Sequence, residues 1–159
     1  MSNEGGLWRV FPDYDSEEML MKLSAAIGID AEDDAVPKEF HVTLAYDDSN
    51  PDVEAEAAFG AEFYAVAKEA TLFGEGQDKI LVIVLESPDL CAEHARIHAC
   101  GAAKFDHIPY RPHVTLVYGA KDSQAEYLNQ IIQHPGRPPI TLRFIEEERK
   151  VLDPNKNKK

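Results

Sequence analysis

Cysteine, tryptophan and positive charge are all scarce in this 159-residue chain, which has 2 Cys, 1 Trp and 16 Lys plus Arg against 29 Asp plus Glu. Two cysteines cannot build the disulfide framework of a small secreted scaffold. Cys91 and Cys100 lie nine residues apart on what reads as one helix, on opposite faces and too far apart along its axis to pair. Both read as thiols of a reducing compartment. The formal net charge of −13 sets the chain against long duplexes, which proteins bind by presenting cations to phosphates. No apolar run approaches the roughly 20 residues of a membrane-spanning helix. The N-terminus has neither the basic lead nor the apolar stretch of a secretory signal, so a cytoplasmic protein is expected. What is there suffices for one domain: a 44% hydrophobic chain of this length can bury a core without staples.

The acid excess is uneven. Residues 1–60 hold 15 acids and 3 bases, net −12, whereas 61–159 hold 14 acids and 13 bases, net −1. A site for an anion is therefore expected to draw on the second part. Strand formers from Leu7 to Phe11 end at Pro12, and Met19, Leu20, Leu23, Ala26 and Ile27 then recur at helical spacing behind the capping pair Asp15 and Glu18. Residues 40–46 read as a strand and 53–59 as a weaker helix. Residues 63–73 and 79–85 read as two strands joined across Gly74 and Gly76, the second apolar on both faces and hence central. A helix opens at Ser87 and Pro88, a strand covers 113–118, and Ser123 with Glu126 caps a further helix. Residues 140–152 form a last long strand. The domain is expected to span 1–153, with 154–159 a loose Lys-rich tail.

These elements repeat. A shift of 72 residues lays Trp8 on Ile80, Asp15 on Ser87, Gly28 on Cys100 and His41 on His113 without a gap. Each half then reads strand, helix, loop, histidine strand, helix, long strand. The letters that repeat are His41-Val42-Thr43-Leu44-Ala45-Tyr46 and His113-Val114-Thr115-Leu116-Val117-Tyr118. A four-letter coincidence has odds of roughly one in five in such a chain. The added Tyr and the equivalent strand position lower this to about one in a hundred.

Alternation along a strand points His41 and Thr43 to one face and Val42, Leu44 and Tyr46 to the other, and likewise in the second copy. Two imidazoles and two hydroxyls facing one cleft suit a phosphodiester. A neutral histidine takes a proton, a charged one donates a proton, and the threonines hold non-bridging oxygens. Histidine does this near neutrality without a metal.

This pattern resembles the two-histidine (2H) phosphoesterases, which include 2′-5′ RNA ligase-like proteins and cyclic nucleotide phosphodiesterases. His41-x-Thr43-Leu44 and His113-x-Thr115-Leu116 match both copies of their signature. The resemblance implies an α+β fold: bilobal, pseudo-twofold and duplicated, with two antiparallel-rich sheets around a central cleft. It also implies a phosphodiesterase in which His41, Thr43, His113 and Thr115 are catalytic, with no metal and no cofactor. The short length, the Tyr after each motif and the stretch from Phe73 to Ile80 are similar to the phage anti-CBASS branch, which degrades cyclic oligonucleotide signals. That implies a small cyclic nucleotide or oligonucleotide as partner, no long duplex, no membrane, a monomer, and the host cytoplasm if phage-encoded. An RNA 2′,3′-cyclic phosphodiesterase or ligase-like enzyme, or a non-catalytic nucleotide-binding module of the same fold, remains the alternative. Which histidine is the base stays open.

Four further residues are candidates for substrate contact, each with a plainer reading. Trp8 offers a base-stacking ring or a core filler, the latter favoured about two to one. Tyr110 and Arg111, just before the second motif, face the phosphate or a solvated loop. Glu148, in the run Glu146-Glu147-Glu148, accepts from a purine amino group or is solvated. His94 and His98 have metal-ligand spacing on a helix without a third ligand in register, so helix-face histidines are the better reading. His107 and His134 read as loop residues.

Overall fold

The computed structural model describes residues 6–30, 32–47, 56–74, 79–99 and 110–151. Alternating burial makes the first segment a strand, β1 (Gly6–Pro12), ended by the proline that cannot donate to a ladder. Gly6 is required there by close approach, since a Cβ would lie 2.7 Å from the Trp8 indole. Helix α1 (Tyr14–Ala26) is capped by Asp13, which accepts from the Ser16 amide at 2.8 Å, and not by the pair Asp15 and Glu18. A tertiary contact decides this, because Arg143 holds the other Asp13 oxygen at 3.1 Å. The chain continues through β2 (Val42–Asp47), β3 (Phe63–Phe73), β4 (Ile80–Glu86), α2 (Pro88–Ala99), β5 (His113–Tyr118), α3 (Asp122–Ile132) and β6 (Thr141–Val151). Helix α3 also starts before its expected cap: Gln124 accepts from the Lys121 amide while its own amide reaches the Ile27 carbonyl.

The six strands form one antiparallel sheet that closes on itself in the order β1-β2-β5-β4-β3-β6. The two sheets expected from the sequence are therefore one. Two seams join them, at Val42 with Val114 between β2 and β5, and from Phe63 with Phe144 to Val66 with Thr141 between β3 and β6. Exchanging β1, β2, β3 for β4, β5, β6 leaves the list of neighbours unchanged.

Both motif strands carry a bulge at the same place. The β1–β2 register slips between Trp8 and Arg9, making Leu44 the extra residue, and the β4–β5 register slips between Leu81 and Val82, making Leu116 the extra residue. Leu7 pairs with Tyr46 and Ile80 pairs with Tyr118. The equivalence is thus 72 residues within the motifs but 73 in the preceding strands. The ungapped shift needs one residue of correction: Trp8 corresponds to Leu81, and the connection between strand and histidine absorbs the difference.

Helices α1 and α2 cover one face of the sheet. Trp8, Val10, Leu20, Val42, Leu44, Leu90, Ile97, Val114, Leu116 and Phe144 are fully buried there. The four motif residues expected inside, Val42, Leu44, Val114 and Leu116, are among them. Val82 and Val84 are buried as well but lie outside this core cluster, on the other face of β4. That strand is buried on both faces, as its unbroken apolar run implies, but in a closed sheet every strand has two neighbours and none is central.

Past Val66, β3 leaves β6, and α3 covers the open edge. Asn129 accepts from the Ala70 amide at 2.7 Å and donates to its carbonyl at 2.8 Å, while Gln133 donates to the Lys68 carbonyl. The weak helix expected over 53–59 falls partly outside the described residues, and residues 56–60 are not helical. Cys100, His107 and the tail at 154–159 also lie outside them.

Candidate active site

The single pair Val42–Val114 centres the two motifs on each other. One step either way along antiparallel strands sets His41 towards Thr115 and Thr43 towards His113, all on the face opposite the core. His113 lies close enough to His41 to oppose its protonation. Cross-strand neighbours frame each motif. Thr43 is beside Arg9, itself beside Glu148, whereas Thr115 is beside Val82, itself beside Thr71. The cross-strand neighbours of Thr43 are charged and those of Thr115 are not.

The bulges also move the tyrosines. Simple alternation puts Tyr46 and Tyr118 with the core, but Tyr46 opposes Leu7, two residues along β1 from the Arg9 that opposes Thr43. Tyr46 therefore shares the Thr43 face, and by the same register Tyr118 shares the Thr115 face. An extra residue in one strand is invisible to a period-two reading.

Each imidazole is tied to the backbone two residues before it. His41 bonds the Glu39 backbone, and His113 Nδ1 lies 2.8 Å from the Arg111 carbonyl. A carbonyl only accepts, so Nδ1 of His113 carries the hydrogen and Nε2 is the nitrogen for proton exchange. Phe73 meets His113 edge to face, with centroids 5.0 Å apart. His41 is half-buried. Burial first, then the Arg9 guanidinium, hold its imidazole below the ordinary histidine value, against the opposing pull of the Glu39 backbone bond and carboxylate.

Arg9 escaped the sequence reading. Its Nε donates to Glu148 at 2.8 Å, a second nitrogen lies 3.7 Å from Glu39, and its guanidinium stands 5.0 Å from the Phe11 ring centroid. The available signal was its rarity, as one of 3 bases among the first 60 residues.

The four proposed substrate contacts separate. Trp8 is wholly buried in the core, with the Arg149 guanidinium 5.1 Å from its ring centroid, and has no face to offer a base. Tyr110 packs with α2 against β2, its hydroxyl donating to the Thr43 carbonyl at 2.7 Å and its ring stacked on His94. Its partner is backbone, a role its place before the motif did not reveal. Glu148 is engaged by Arg9. Arg111 does stand beside the second motif, 3.6 Å from Glu69 and 5.8 Å from the Phe73 ring centroid. A hollow of about 380 Å³ opens there, lined by Lys68, Glu69, Tyr110 and Arg111.

His94 gives its Nδ1 to the Leu44 carbonyl, and its ring lies 4.3 Å from that of His98. Among the described residues no group of three or more His, Cys, Asp or Glu side chains is placed to hold a metal ion. Behind β6, the buried carboxylates of Glu93 and Glu147 meet the partly exposed guanidinium of Arg96. Arg96 grips Glu93 and lies 3.6 Å from Glu147, whose side chain is wholly buried. Burial, and then the Glu93 carboxylate, push Glu147 up to about 8.

The chain is thus an α+β protein whose one antiparallel sheet sets two histidine–threonine pairs on a common face. A family model described as anti-CBASS protein Acb1 matches residues 9–159, and the chain belongs to that family. Membership places it among proteins that act against CBASS signalling. No helix among the described residues is long and apolar enough to cross a membrane.

Proposed function

We propose that this protein is a metal-independent phosphodiesterase that opens 3′-5′ linkages of cyclic oligonucleotide signals, disarming the immune response they trigger. The observation that carries this reading is the Val42–Val114 seam, which sets two His-x-Thr pairs in register on one face with each imidazole anchored to backbone. Family membership supplies the signalling context. The unchanged neighbour list on exchange of the two halves, and the bulges at Leu44 and Leu116, support the duplicated two-histidine phosphoesterase reading of the fold.

The charge asymmetry assigns roles. His41, half-buried and next to Arg9, is the neutral imidazole and takes the proton of a ribose 2′-OH. The 2′-oxygen attacks the adjacent phosphorus and the bond to the 5′-oxygen breaks. His113, its Nδ1 bonded to Arg111, gives the Nε2 proton to that leaving oxygen. The products are a 2′,3′-cyclic phosphate and a 5′-OH, with one proton moved from His113 to His41 in net terms. The Thr43 and Thr115 hydroxyls hold the non-bridging oxygens as charge develops on them.

Incubation with cyclic di- and trinucleotides in the presence of a chelator tests the reading. Wild type should linearise them, His41→Ala and His113→Ala should not, and Thr43→Ala or Thr115→Ala should slow the reaction by about fivefold or more. An analogue with hydrogen in place of the attacking 2′-OH should bind and stay intact. Its cleavage at an undiminished rate refutes internal attack, and activity lost to chelator and restored by zinc refutes metal independence.

A further inference from the structure

The bulge at Leu44 creates a local problem that the fold has to solve. An extra residue interrupts the ladder, and a buried backbone carbonyl left unpaired costs about as much as a lost hydrogen bond. β5 pairs with β2 only at Val42 with Val114. Side chains from the second part of the chain take the carbonyls on either side of the slip. Tyr110 Oη donates to Thr43 at 2.7 Å, and His94 Nδ1 donates to Leu44 at 2.6 Å. The two rings lie flat on each other, with centroids 4.0 Å apart and planes 4° from parallel. One stacked pair thus bonds two consecutive carbonyls of the strand whose other face carries Thr43.

We propose that Tyr110 and His94 are positioning residues, a stacked pair that grips the β2 bulge from the helix side and so fixes the aim of Thr43 at the phosphate. The proposal rests on the phosphodiesterase reading above and adds residues that touch neither substrate nor reacting atoms. Burial pushes the Tyr110 phenol well above its ordinary value, so its hydroxyl remains a donor throughout the working pH range. The grip is specific to one half. Lys38 stands three residues before His41 as Tyr110 stands three before His113, and a lysine has no ring to stack. Rigidity is therefore built into the strand that carries Thr43 and follows His41, the histidine assigned as base.

Tyr110→Phe removes the hydroxyl and keeps the ring on His94. With a cyclic dinucleotide as substrate it should lower kcat/KM about five- to tenfold, the equivalent of one hydrogen bond. The discriminating measurement is the double variant with Thr43→Ala. If Tyr110 acts through Thr43, adding Tyr110→Phe to Thr43→Ala costs little further activity, whereas independent roles multiply the two losses. Melting curves confirm that the variants are folded. Hydrogen exchange supplies a readout independent of turnover: in Tyr110→Phe the amides of 42–46 should exchange faster while those of 114–118 do not change. Multiplied losses, no loss at all in an active enzyme, or unchanged exchange at the bulge would each overturn the proposal. A wild-type protein inert towards cyclic dinucleotides sinks the phosphodiesterase reading instead, and the exchange result still decides whether the grip exists.

Discussion

Replacing Glu147 by Gln tests how the buried carboxylate pair behind β6 is held. Two carboxylates cannot bond without a proton between them, and the Glu147 side chain is wholly buried near Glu93 with Arg96 as the nearby cation. Burial and the Glu93 charge raise the Glu147 carboxyl from an ordinary 4.5 to about 8, while the Arg96 guanidinium helps to keep Glu93 ionised. The sign follows from proton counting. Between pH 4.5 and 8 the folded protein keeps the Glu147 proton and the unfolded chain loses it, so this site makes stability fall as pH rises through that window. One proton's difference gives a slope of at most about 1.4 kcal/mol per pH unit. Glu147→Gln keeps the shape and a donor for Glu93 but has no proton to lose. Urea unfolding followed by the fluorescence of Trp8, the single tryptophan and fully buried, should give matching stabilities at about pH 4.5. Towards pH 7.5 the curves should diverge by up to about 3 kcal/mol in favour of the variant. Parallel curves would mean that Glu147 is already ionised in the folded protein, and the account of the cluster would be wrong.

Removing the guanidinium in Arg9→Met should raise the proton affinity of His41, because a cation is lost and two carboxylates are released. The acid limb of the kcat/KM profile should then move to higher pH, and an unmoved limb contradicts the assignment of His41 as base. Asn129→Ala leaves the amide and carbonyl of Ala70 without their side-chain partner on the open part of β3. A loss of about 1–3 kcal/mol in urea unfolding is expected, with greater self-association on light scattering. Unchanged stability would show that water serves this edge as well.

The extent to which the site was legible in the sequence differed from residue to residue. The repeated His-Val-Thr-Leu letters located the motifs, and strand alternation put Val42, Leu44, Val114 and Leu116 inside, because a period of two is a local property of the backbone. Local pattern likewise marked β4 as buried on both faces, since an unbroken apolar run suits such a strand, although a closed sheet has no centre for it to occupy. Helix starts were approximate. Asp13 and Gln124 won over nearer capping pairs through contacts with Arg143 and Ile27, more than 90 residues away in the chain.

Tertiary structure decided the rest. Closure of six strands into one sheet depends on which edges meet, and the seams at Val42–Val114 and Phe63–Phe144 join residues remote in sequence. The bulges depend on the register of a neighbouring strand, so the face of Tyr46 and Tyr118 could not follow from their own segments. The same holds for partners. Trp8, read as either a stacking ring or core, is committed to the core by the helices above it, Glu148 is claimed by Arg9, and Tyr110 is drawn to a carbonyl that only the bulge exposes. Residue type and spacing determine which chemistry is available. Which groups share a face, a proton or a bond is decided by the closed sheet, because those distances are set across strands and not along the chain.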